Sequence, residues 1–440
     1  MKTQMHKSGL SGLITLTIIF FHLAAAAAGT SYSGIFDKNK DAQKDTSVYV
    51  IEGEIKDAET NDPLSFASVQ LKNTNIATVA NMDGEFVLKV PKTVNDGDVE
   101  FTFIGYDNMT LPLAELLSNR KNKIEMRGVR IPLSEIKIRP DDARTLMIGS
   151  MRRIEENYSQ DPNMMMAFYR ESIKKNWNYV SVSEAVLELY KAPYNKTFRS
   201  DQVKLYKGRK SKDVKKMDTL DFKLQGGPST AVLLDIVKNP YPLFIDHSLQ
   251  FFKFSIDGFT KVNDRLSYII GFEQLPVDDY YRYNGKVYLD VENLAISAIE
   301  FTLDFDDPKS SSHLFVRKKP LSVDVEPLSA KYYVNYTQKD GKWYFNYARG
   351  DVKFKCDWDK KLFNTTYTTT SEIAVTDRST KDVERFRNRE VIKFGDVFID
   401  QISYFYNEDF WGKHNYIKPD ESIESAIKRL NRRVKRNQDL

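Results

Sequence analysis

The sequence predicts a mostly β protein: a small N-terminal β-sandwich, a helical linker, and a larger antiparallel sheet or half-barrel domain with covering helices. Aromatic residues make up 12% of the 440 residues, with 24 Tyr and 27 Phe, and such side chains fit the pleated surface of a sheet. Short runs of alternating apolar and polar residues recur along the chain, separated by Asp-Gly and Asn-Gly dipeptides that are typical of hairpin turns. Amphipathic segments long enough for a helix are few, so we expect strands to dominate.

The N-terminus has the order of a secretory signal peptide. Two lysines precede a mostly apolar run, Leu10–Leu23, and a tract of small residues follows at 24–29. We therefore assign residues 1–28 to a signal peptide and the polar, aperiodic residues 29–46 to a flexible leader. An uncleaved membrane anchor is the alternative, but the small-residue tract suits a signal peptidase better than a bilayer interior.

The single cysteine, Cys356, restricts how the exported chain could be anchored or cross-linked. A bacterial lipoprotein needs a cysteine directly after the apolar run, and none stands there. We therefore expect a protein of the periplasm or the outer membrane that is not anchored through a cysteine. One thiol can form no intrachain disulfide. Because Cys356 alternates with Phe354 and Trp358, it is predicted to be a buried strand residue.

The overall charge is nearly balanced, with 65 Lys and Arg against 61 Asp and Glu and a formal net charge of +4. A dedicated nucleic-acid binder usually carries a clear basic excess on one face. We therefore expect no nucleic-acid partner.

Residues 47–128 are predicted to form the small β-sandwich, because short strands alternate with turn formers and no long helical pattern intervenes. Asp83 and Gly84 readily adopt the positive φ angles of a two-residue turn, so we expect this structural turn to close a hairpin. Phe86 and Leu88 stand two positions apart, between the polar residues Glu85 and Lys89, which predicts that the following strand buries the face that carries them. Strands are expected at Glu85–Val90, Val99–Ile104 and Lys123–Met126.

Short motifs of a known domain family stand within about residues 49–127. They are Gly53, Asp57, Asp62–Leu64, Ala67, Val69, Asn81–Phe86 and Ile104–Tyr106. With these motifs the segment resembles the carboxypeptidase-regulatory-like, transthyretin-like domain common in secreted and outer-membrane proteins of Bacteroidetes. It departs from the family pattern at Ile76, where glycine is common, and at Ala80, where threonine or serine is usual. The resemblance implies a rigid, transthyretin-like sandwich in an exported protein.

Residues 129–162 are predicted to be a linker that contains a helix. Acidic residues stand near the start of the helical pattern, and four apolar residues recur near helical spacing. These are Leu146, Ile148, Met151 and Ile154.

Residues 163–440 are predicted to form the larger antiparallel sheet. Three dipeptides between alternating runs, Asp257-Gly258, Asn284-Gly285 and Asp340-Gly341, are expected to close hairpins. The strand pair around Asn284-Gly285 is similar to those of periplasmic lipoprotein-carrier proteins, whose curved half-barrel grips acyl chains against a helix. This second resemblance covers about residues 163–400 and implies an architecture more than a ligand.

A helix is expected to cover one face of this sheet, because a sheet with one polar face needs a cover for the other. The pattern in residues 229–244 indicates one such helix, which an Asn-Pro pair ends. Its apolar face includes Leu233, Ile236 and Val237, which we assign to a candidate ligand cleft or lid.

The C-terminus, residues 418–440, has the pattern of an amphipathic helix. Apolar residues recur on one face, acidic residues stand near the start and basic residues near the end, an order that complements the helix dipole. One interpretation is a terminal helix docked on the sheet with a solvated polar face. The other is peripheral contact of its basic end with an anionic membrane surface or a partner.

The candidate chemistry is sparse. A zinc carboxypeptidase needs a histidine and a glutamate on one turn and a second, distant histidine, so that three ligands leave one position open for water. After the signal peptide the histidines are His247, His313 and His414, and none has a glutamate three residues later. No nucleophile elbow, phosphate-binding glycine loop or dinucleotide motif stands in the sequence. We therefore expect the regulatory domain without its enzyme, with no catalytic residue, no metal and no cofactor.

Two acidic segments leave a hydrolase of unrecognised type as the alternative. Asp278–Asp279 and Leu303–Ser310 could supply paired carboxylates, although acidic turns before proline are common. The aromatic stretch Tyr406–Glu421 could stack a sugar or lipid, or it could anchor the C-terminal helix. Our expectation is a non-catalytic envelope protein with a binding or assembly role, which holds an apolar or glycan ligand in the sheet domain or contacts an outer-membrane protein.

Overall fold

The computed structural model describes residues 47–129, 131, 143–195, 199–212, 227–240, 243–244, 248–276, 281–315, 321–359, 362–404 and 410–438. The predicted signal peptide, the leader and Asp278–Asp279 lie outside the described residues, so those interpretations stay predictions. Residues 44–440 group into one compact unit. In the described part of the chain, no helix combines the length and the apolar character that crossing a membrane requires.

The small sandwich predicted for the N-terminal part is present as two facing sheets. Its strands are β1 Val48–Asp57, β2 Ser68–Leu71, β3 Ala77–Val79, β4 Glu85–Pro91, β5 Asp98–Thr102, β6 Met109–Pro112 and β7 Asn122–Met126. The sheets have the orders β4-β1-β7 and β3-β2-β5-β6, and a short helix, α1 (Leu113–Ser118), packs beside them. Apolar side chains of both sheets form one core, in which the rings of Phe86 and Phe101 meet edge to face at 5.6 Å between centroids.

The turn at Asp83 and Gly84 is present, but it does not close the hairpin that the sequence predicted. The strands on either side, β3 and β4, belong to different sheets, and β4 pairs with β1 instead. Of the two residues, Gly84 alone has a positive φ, 75°. A Cβ atom at Gly84 would lie 2.5 Å from the carbonyl oxygen of Ile55, so this crossing between the two sheets requires glycine.

The predicted linker helix is present in two pieces, α2 (Ala143–Arg152) and α3 (Ile154–Asn157). All four apolar residues that predicted it lie in or against the core of the large sheet. The apolar periodicity of the sequence therefore marks the face that is covered.

The large sheet contains eleven strands within the described residues. They are β8 Asn163–Lys175, β9 Asn178–Lys191, β10 Gln202–Lys212, β11 Phe252–Val262, β12 Arg265–Gln274, β13 Tyr281–Asp290, β14 Ile296–Phe305, β15 Val323–Lys339, β16 Lys342–Trp358, β17 Thr365–Ser379 and β18 Ser403–Tyr404. The spatial order is β11-β12-β13-β14-β15-β16-β17-β8-β9-β10-β18, and neighbours are antiparallel except for β10 and β18. The meander β11 to β17 joins the three earlier strands through the pairing of β17 with β8. The sheet is open, with β11 and β18 at its two ends.

One of the three hairpin turns predicted in this sheet is confirmed. Asp340-Gly341 joins β15 to β16, with φ angles of 50° and 76°. The other two predictions are wrong, because Asp257-Gly258 forms a bulge within β11 and Asn284-Gly285 lies inside β13. β11 instead turns at Asn263-Asp264, with φ angles of 52° and 59°, a conformation that Asn and Asp tolerate better than most residues.

The two faces of the large sheet are covered by different parts of the chain. One face forms the main core with α2 and with α4 (Gly227–Leu233), and α5 (Pro308–Ser311) lies against β15. Cys356 is buried in this core, as predicted. The opposite face carries the sandwich and the C-terminal segment, residues 410–421. Short 3₁₀ turns lie at Leu249–Phe251, Ser312–Leu314 and Phe398–Gln401.

The C-terminal helix predicted from the sequence is present as α6 (Glu421–Gln438). Asp420 caps its start, because a side-chain oxygen accepts a hydrogen bond from the backbone N–H of Ile423 at 2.6 Å. Ile423 and Ala426 pack against Tyr179 of β9. The helix is therefore docked on the sheet.

Candidate functional site

A groove of about 1140 Å³ lies between the sandwich and the large sheet. Phe66, Phe103 and Ile104 of the sandwich form one wall, and strands β11 to β16 form the floor. The floor combines aromatic rings, carboxylates, lysines and an arginine. The groove is slightly larger than the ~300–1,000 Å³ typical of ligand sites.

The pleat of the strands explains why polar side chains line this floor. On β14, Glu300 and Thr302 line the groove, whereas Ile299 and Leu303 lie in the main core. Successive side chains of a strand point to opposite faces, so one strand serves both the core and the groove.

Two glycines shape the floor. A Cβ atom at Gly285 would lie 2.1 Å from the carbonyl oxygen of Glu300, and one at Gly271 would lie 2.6 Å from the Asp257 carboxylate. Gly285, which the sequence assigned to a turn, is therefore needed where the backbones of β13 and β14 approach closely.

A row of seven charged residues and one tyrosine crosses the large sheet from the groove floor to a buried half. Each of the eight strands from β13 to β10 in the spatial order contributes one residue, and each residue is paired directly with the next. The residues are Lys286, Glu300, Tyr333, Arg349, Glu372, Arg170, Glu184 and Arg209. We call these residues the charged row. Directly opposite residues share a face of the sheet, and neighbours of opposite charge stabilise the pairing of their strands. No local sequence pattern marks this row, because only strand pairing brings its members together.

The buried half of the charged row is a network of ion pairs. Arg170 donates to Glu184 at 2.8 Å and to Glu372 at 3.1 Å, and Arg209 donates to Glu184 at 3.0 Å. The network lies beneath the C-terminal segment, where the carbonyl of Ile417 accepts from Arg170 at 2.6 Å. Burial alone would raise the pKa of the Glu184 carboxyl, but the guanidiniums of Arg170 and Arg209 hold that pKa below its usual value of 4.5. This half of the row therefore fixes the strands.

Arg349 is where the charged row enters the groove. Its Nε and one Nη donate to Asp351 at 2.6 and 2.8 Å, and its other Nη donates to Glu372 at 3.4 Å. The ring of Phe66 lies over its guanidinium at 4.9 Å and stacks on Tyr347 at 5.5 Å between centroids. Phe66 has a φ of 68°, which is uncommon for a bulky residue and costs about 1–3 kcal/mol. Strain of this kind concentrates at functional sites. We therefore take the contact between Phe66 and Arg349, which we call the corner, as the centre of the candidate site.

The other groups of the groove carry both charge signs. Glu300 accepts the Tyr288 hydroxyl at 2.9 Å. Asn284 accepts from Thr302 at 2.7 Å and donates to Asp304 at 2.6 Å. Exposed lysines complete the floor and rim: Lys253, Lys286 and Lys331. Interleaved donors, acceptors and aromatic rings suit an uncharged, hydroxyl-rich ligand better than a polyanion.

The structure corrects the candidate lid. Helix α4 ends at Leu233, whose side chain is 44% exposed and so is not part of a buried apolar face. Ile236 and Val237 follow the helix and are buried in the main core. None of these three residues lines the cavity of about 120 Å³ below α4, which Ala231 and Leu234 border. Ile236 and Val237 therefore contribute to the main core, whereas Leu233 lies at the surface.

Asp235 explains why the helix stops before this segment. Its buried carboxylate lies 2.6 Å from the ammonium of Lys191, and it accepts the hydroxyls of Tyr194 and Tyr336, both at 2.8 Å. Lys191 also pairs with Asp201 at 2.5 Å. These contacts tie the segment after α4 to β9 and β15. No sequence pattern marks Asp235, because its partners lie on distant strands.

Glu171 lies near the start of α4, on the main-core face of the large sheet. The pH dependence of stability tests whether its carboxyl group is buried there. Its carboxyl accepts the Tyr169 hydroxyl at 3.0 Å, and burial raises its pKa from 4.5 to about 7. Because the folded-state pKa is raised, the stability that protonated Glu171 contributes is fully present below pH 4.5 and is lost as the pH rises through about 7.

We expect Glu171→Gln to raise the free energy of unfolding by about 2–3 kcal/mol near pH 8, because glutamine removes the cost of ionising a buried acid. Near pH 4 the variant and the wild type should differ little. Urea unfolding at both pH values measures this, with Glu115→Gln on the exposed face of α1 as the control. Equal effects of Glu171→Gln at the two pH values would contradict the burial of an ionisable group.

The C-terminal segment holds the sandwich against the sheet. Asn415 exchanges hydrogen bonds with the backbone of Lys89 in β4, at 2.6 and 3.1 Å. Asp83 accepts from the backbone N–H of Glu421 at 3.0 Å, so the turn that the sequence singled out also meets the start of α6. The sandwich, the sheet and the terminal helix thus share one contact region.

The described part of the aromatic stretch Tyr406–Glu421 acts as an anchor. Trp411 is 3% exposed and meets Phe168 edge to face at 5.3 Å, and Tyr416 stacks on Trp411 at 6.0 Å. The guanidinium of Arg209 lies 4.5 Å from the Trp411 ring. These rings cover the buried half of the charged row, which favours the anchoring interpretation over a sugar platform.

The described residues offer no group of three His, Cys, Asp or Glu side chains that could hold a metal ion. The ring of His414 packs against Tyr206 at 4.9 Å between centroids, and the side chains of His247 and His313 lie outside the description. In the acidic stretch Leu303–Ser310, Asp307 caps α5 by accepting backbone hydrogen bonds. Asp307 therefore has a structural role, whereas Asp304 of the same stretch lies on β14 and lines the groove.

Comparison with known proteins gives one family match and several distant structural likenesses. Residues 51–135 match the family model described as the CarboxypepD_reg-like domain, and no curated protein matches the chain. A DUF1329 family protein from Desulfovibrio piger ATCC 29098 is 12% identical, with 55% of this chain and 93% of that chain covered and a TM-score of 0.23. Lipovitellin is 9% identical over 55% of this chain and 28% of that chain, with a TM-score of 0.26. MucB in complex with MucA(peri) is 9% identical over 52% of this chain and 93% of that chain, with a TM-score of 0.16. TM-scores this low support no conclusion about fold or function.

The family match agrees with both the motifs and the fold. Its range begins within β1 and extends past β7, the last strand of the sandwich. It includes Gly84, at which a side chain would collide with the backbone of β1. Residues 51–135 of this chain are therefore a CarboxypepD_reg-like domain.

Proposed function

We propose that this protein is a non-catalytic envelope protein that binds a glycan-like ligand in the groove between its sandwich and its large sheet. The observation that carries the proposal is the corner at Arg349, where the charged row meets the strained Phe66 ring. Aromatic faces beside groups of both charge signs suit the apolar ring faces and the hydroxyls of an uncharged glycan. The ion pairs hold Arg349 and Asp351 in place before a ligand arrives, which lowers the entropic cost of binding.

An apolar ligand fits the described geometry less well. The cavity below α4 measures about 120 Å³, well under the ~300–1,000 Å³ typical of ligand sites. Opening a larger cleft there would separate Asp235 from Lys191 and the two tyrosines. Breaking a buried ion pair of this kind is costly, so the groove is the better candidate.

A hydrolase remains the alternative function, and it would need two carboxyl groups in one site with one pKa close to neutral. Glu171 has a pKa of about 7, but it lies in the main core, on the face of the sheet opposite the groove. In the groove, Glu300 and Asp304 accept hydrogen bonds from Tyr288 and Asn284. Glu171 and the groove carboxylates Glu300 and Asp304 thus lie on opposite faces of the sheet and cannot act in one site, which supports the non-catalytic proposal.

The proposed location is the periplasm or the outer membrane. The signal-like N-terminus and the CarboxypepD_reg-like domain, which resembles domains of exported proteins, support it. In this proposal the sandwich presents the groove rigidly, an outer-membrane protein is a candidate partner, and the basic end of α6 contacts the membrane peripherally.

Binding to a panel of neutral oligosaccharides tests the groove. The full mature chain should bind at least one member, and Thr302→Trp, which fills the floor, should weaken that binding at least about tenfold. Lys123→Trp, at an exposed position of β7, should bind like the wild type. Equal binding by Thr302→Trp would show that the groove is not the site. Failure of the wild type to bind any neutral glycan would reject the ligand class.

A further inference from the structure

A second cavity, of about 680 Å³, lies between the sandwich and the large sheet. Strand β15 shows where it meets the groove. On one face of this strand Lys331 lines the groove, whereas Asn335 and Thr337 line the second cavity. Tyr333 stands between them and lines both cavities. The two cavities therefore lie on opposite sides of Tyr333.

An apolar contact separates the two cavities. Ile104 of the sandwich lines both, and it packs with Tyr333 against one small cluster of the sheet, Val262, Tyr288 and Ala298. Phe66 also lines both cavities, and its ring stacks on Tyr347 at 5.5 Å between centroids. Because the sandwich rests on the sheet along this contact, the second cavity is a site apart from the groove.

Carboxamide residues are the commonest kind around the second cavity. Within the part of the chain that the structure describes, seven of them border it: Gln70, Asn73, Asn108, Asn263, Asn335, Gln338 and Asn346. They belong to β2 and the turn after it, the loop before β6, the β11–β12 turn and the β15–β16 hairpin. We call this cavity the amide cleft.

The pleat of the sandwich strands explains why polar side chains form one wall of the amide cleft. On β2, Gln70 lines the cleft, whereas Val69 and Leu71 lie in the sandwich core. On β5, Thr102 lines the cleft and Phe101 lies in that core. Successive side chains of a strand point to opposite faces, so the outer face of this sheet is turned to the cleft.

The amides of the cleft keep capacity for a ligand. Asn346 donates to the side-chain oxygen of Asn335 at 3.1 Å, and Asn335 donates to the Tyr333 hydroxyl at 3.3 Å. A primary amide can donate two hydrogen bonds and accept two, so these contacts leave part of each group unused. The Oδ1 of Asn108 is buried and has no partner among the described residues, which is costly. A ligand hydroxyl in the cleft would supply the missing donor.

The charges around the cleft are of both signs. Its described lining includes two lysines and three carboxylates: Lys72, Lys339, Glu100, Asp264 and Asp340. Lys72 pairs with Glu100 at 3.5 Å, and Lys339 donates to the side chain of Asn75 at 2.7 Å. Such a lining favours neither a polyanion nor a polycation.

We propose that the amide cleft is a second binding site for a neutral glycan. The hydroxyls of a glycan both donate and accept hydrogen bonds, as carboxamides do. The volume of about 680 Å³ lies within the ~300–1,000 Å³ typical of ligand sites. The proposal rests on the residues of the cleft and not on a ligand in the groove.

The lining of the cleft favours a glycan over a peptide. A protein partner is held mainly by aromatic or aliphatic anchors in apolar pockets. In the cleft, the apolar residues Ile104, Val262 and Phe66 are engaged in the contact between the sandwich and the sheet. The remaining wall is polar, which suits a ligand that is recognised through hydroxyls.

Titration calorimetry of the full mature chain with a panel of neutral oligosaccharides tests the second site. Thr302→Trp fills the groove and leaves the cleft open, so at least one member of the panel should bind this variant as it binds the wild type. Thr337→Trp, which places a large ring in the cleft, should weaken the binding of that member at least about tenfold. Members that bind in the groove should show the reverse pattern.

Two further variants complete the test. Gln70→Ala removes an amide without filling the cleft and should weaken the same member about threefold to tenfold, the loss of roughly one hydrogen bond. This variant keeps the test decisive if circular dichroism shows that Thr337→Trp does not fold. Lys123→Trp, at an exposed position of β7, should bind every member like the wild type.

The outcomes separate the cleft from the groove. Wild-type binding of every member by Thr337→Trp and Gln70→Ala would overturn the cleft proposal, and a member weakened by Thr302→Trp would then still support the groove. Sensitivity to Thr337→Trp only in members that Thr302→Trp also weakens would overturn it too, because one site would explain both effects. A wild type that binds no neutral glycan would reject the ligand class for both sites.

Discussion

Replacing Arg170 by methionine should lower the free energy of unfolding by about 3–5 kcal/mol. Methionine is of similar length, but it leaves Glu184 and Glu372 without a shared cation and the Ile417 carbonyl without its donor. Urea unfolding followed by circular dichroism measures the change. Arg282→Met is the matched control, because its partner Asp306 lies in an exposed ion pair on the same sheet, and such pairs contribute little.

The loss in Arg170→Met should also depend on pH. The pKa of Glu184 is held below 4.5, so the stability that its carboxylate contributes is present above pH 4.5 and is lost as the pH falls through the folded-state pKa. The difference between the wild type and Arg170→Met should therefore shrink in acid. A difference that stays constant down to pH ~3, or one no larger than that of Arg282→Met, would contradict an ion-pair network at this position.

Asp235→Asn should lower the free energy of unfolding by a similar amount, about 3–5 kcal/mol. Lys191 is 1% exposed, and after the change Asp201 would be its one remaining carboxylate among the described contacts. Leu233→Ala is the control two positions away, and because that side chain is 44% exposed, its effect should stay within ~0.5 kcal/mol.

Asp235→Asn also decides between a fixed segment and a mobile lid. A lid that opens readily would make the effect of Asp235→Asn as small as that of Leu233→Ala, since the contacts of Asp235 would be broken much of the time. If a fatty acid raised the melting temperature of Asp235→Asn, an apolar cleft below α4 would again become the better candidate than the groove. No change in that temperature is the expected result.

Local patterns in the sequence were sufficient to predict many of the strands, the sandwich, the linker helix, the terminal helix and the burial of Cys356. Each of these depends on the alternation or periodicity of a few consecutive residues, which is set by the geometry of the strand or the helix itself. The turn at Asp340-Gly341 was predictable for the same reason, because both residues tolerate positive φ and alternating strands flank them directly.

The three other Asp-Gly and Asn-Gly dipeptides show where this reasoning fails. Gly84 serves a crossing between sheets, Gly258 a bulge, and Gly285 a close approach of two strands. The same conformational freedom and missing Cβ suit all of these uses. A dipeptide alone therefore cannot distinguish a hairpin turn from a crossing between sheets, a bulge or a close approach of two strands.

The lid was misassigned for a related reason. Leu233, Ile236 and Val237 have helical spacing in the sequence, but Asp235 lies between them and bonds to Lys191, Tyr194 and Tyr336. A buried carboxylate must be paired, and that requirement ends the helix early. The apolar pattern was correct about burial for Ile236 and Val237, and wrong for Leu233.

By itself the sequence determined the class of the protein, the order of its parts and the identity of its first domain, because these depend on short-range patterns. Only the tertiary structure decided the groove and the charged row. The members of the charged row lie on eight different strands, and they meet only because the register of each pairing places them opposite one another. A shift of one residue in a single pairing would turn that strand's side chain to the other face. The site is therefore a property of the register between strands, which no single strand encodes.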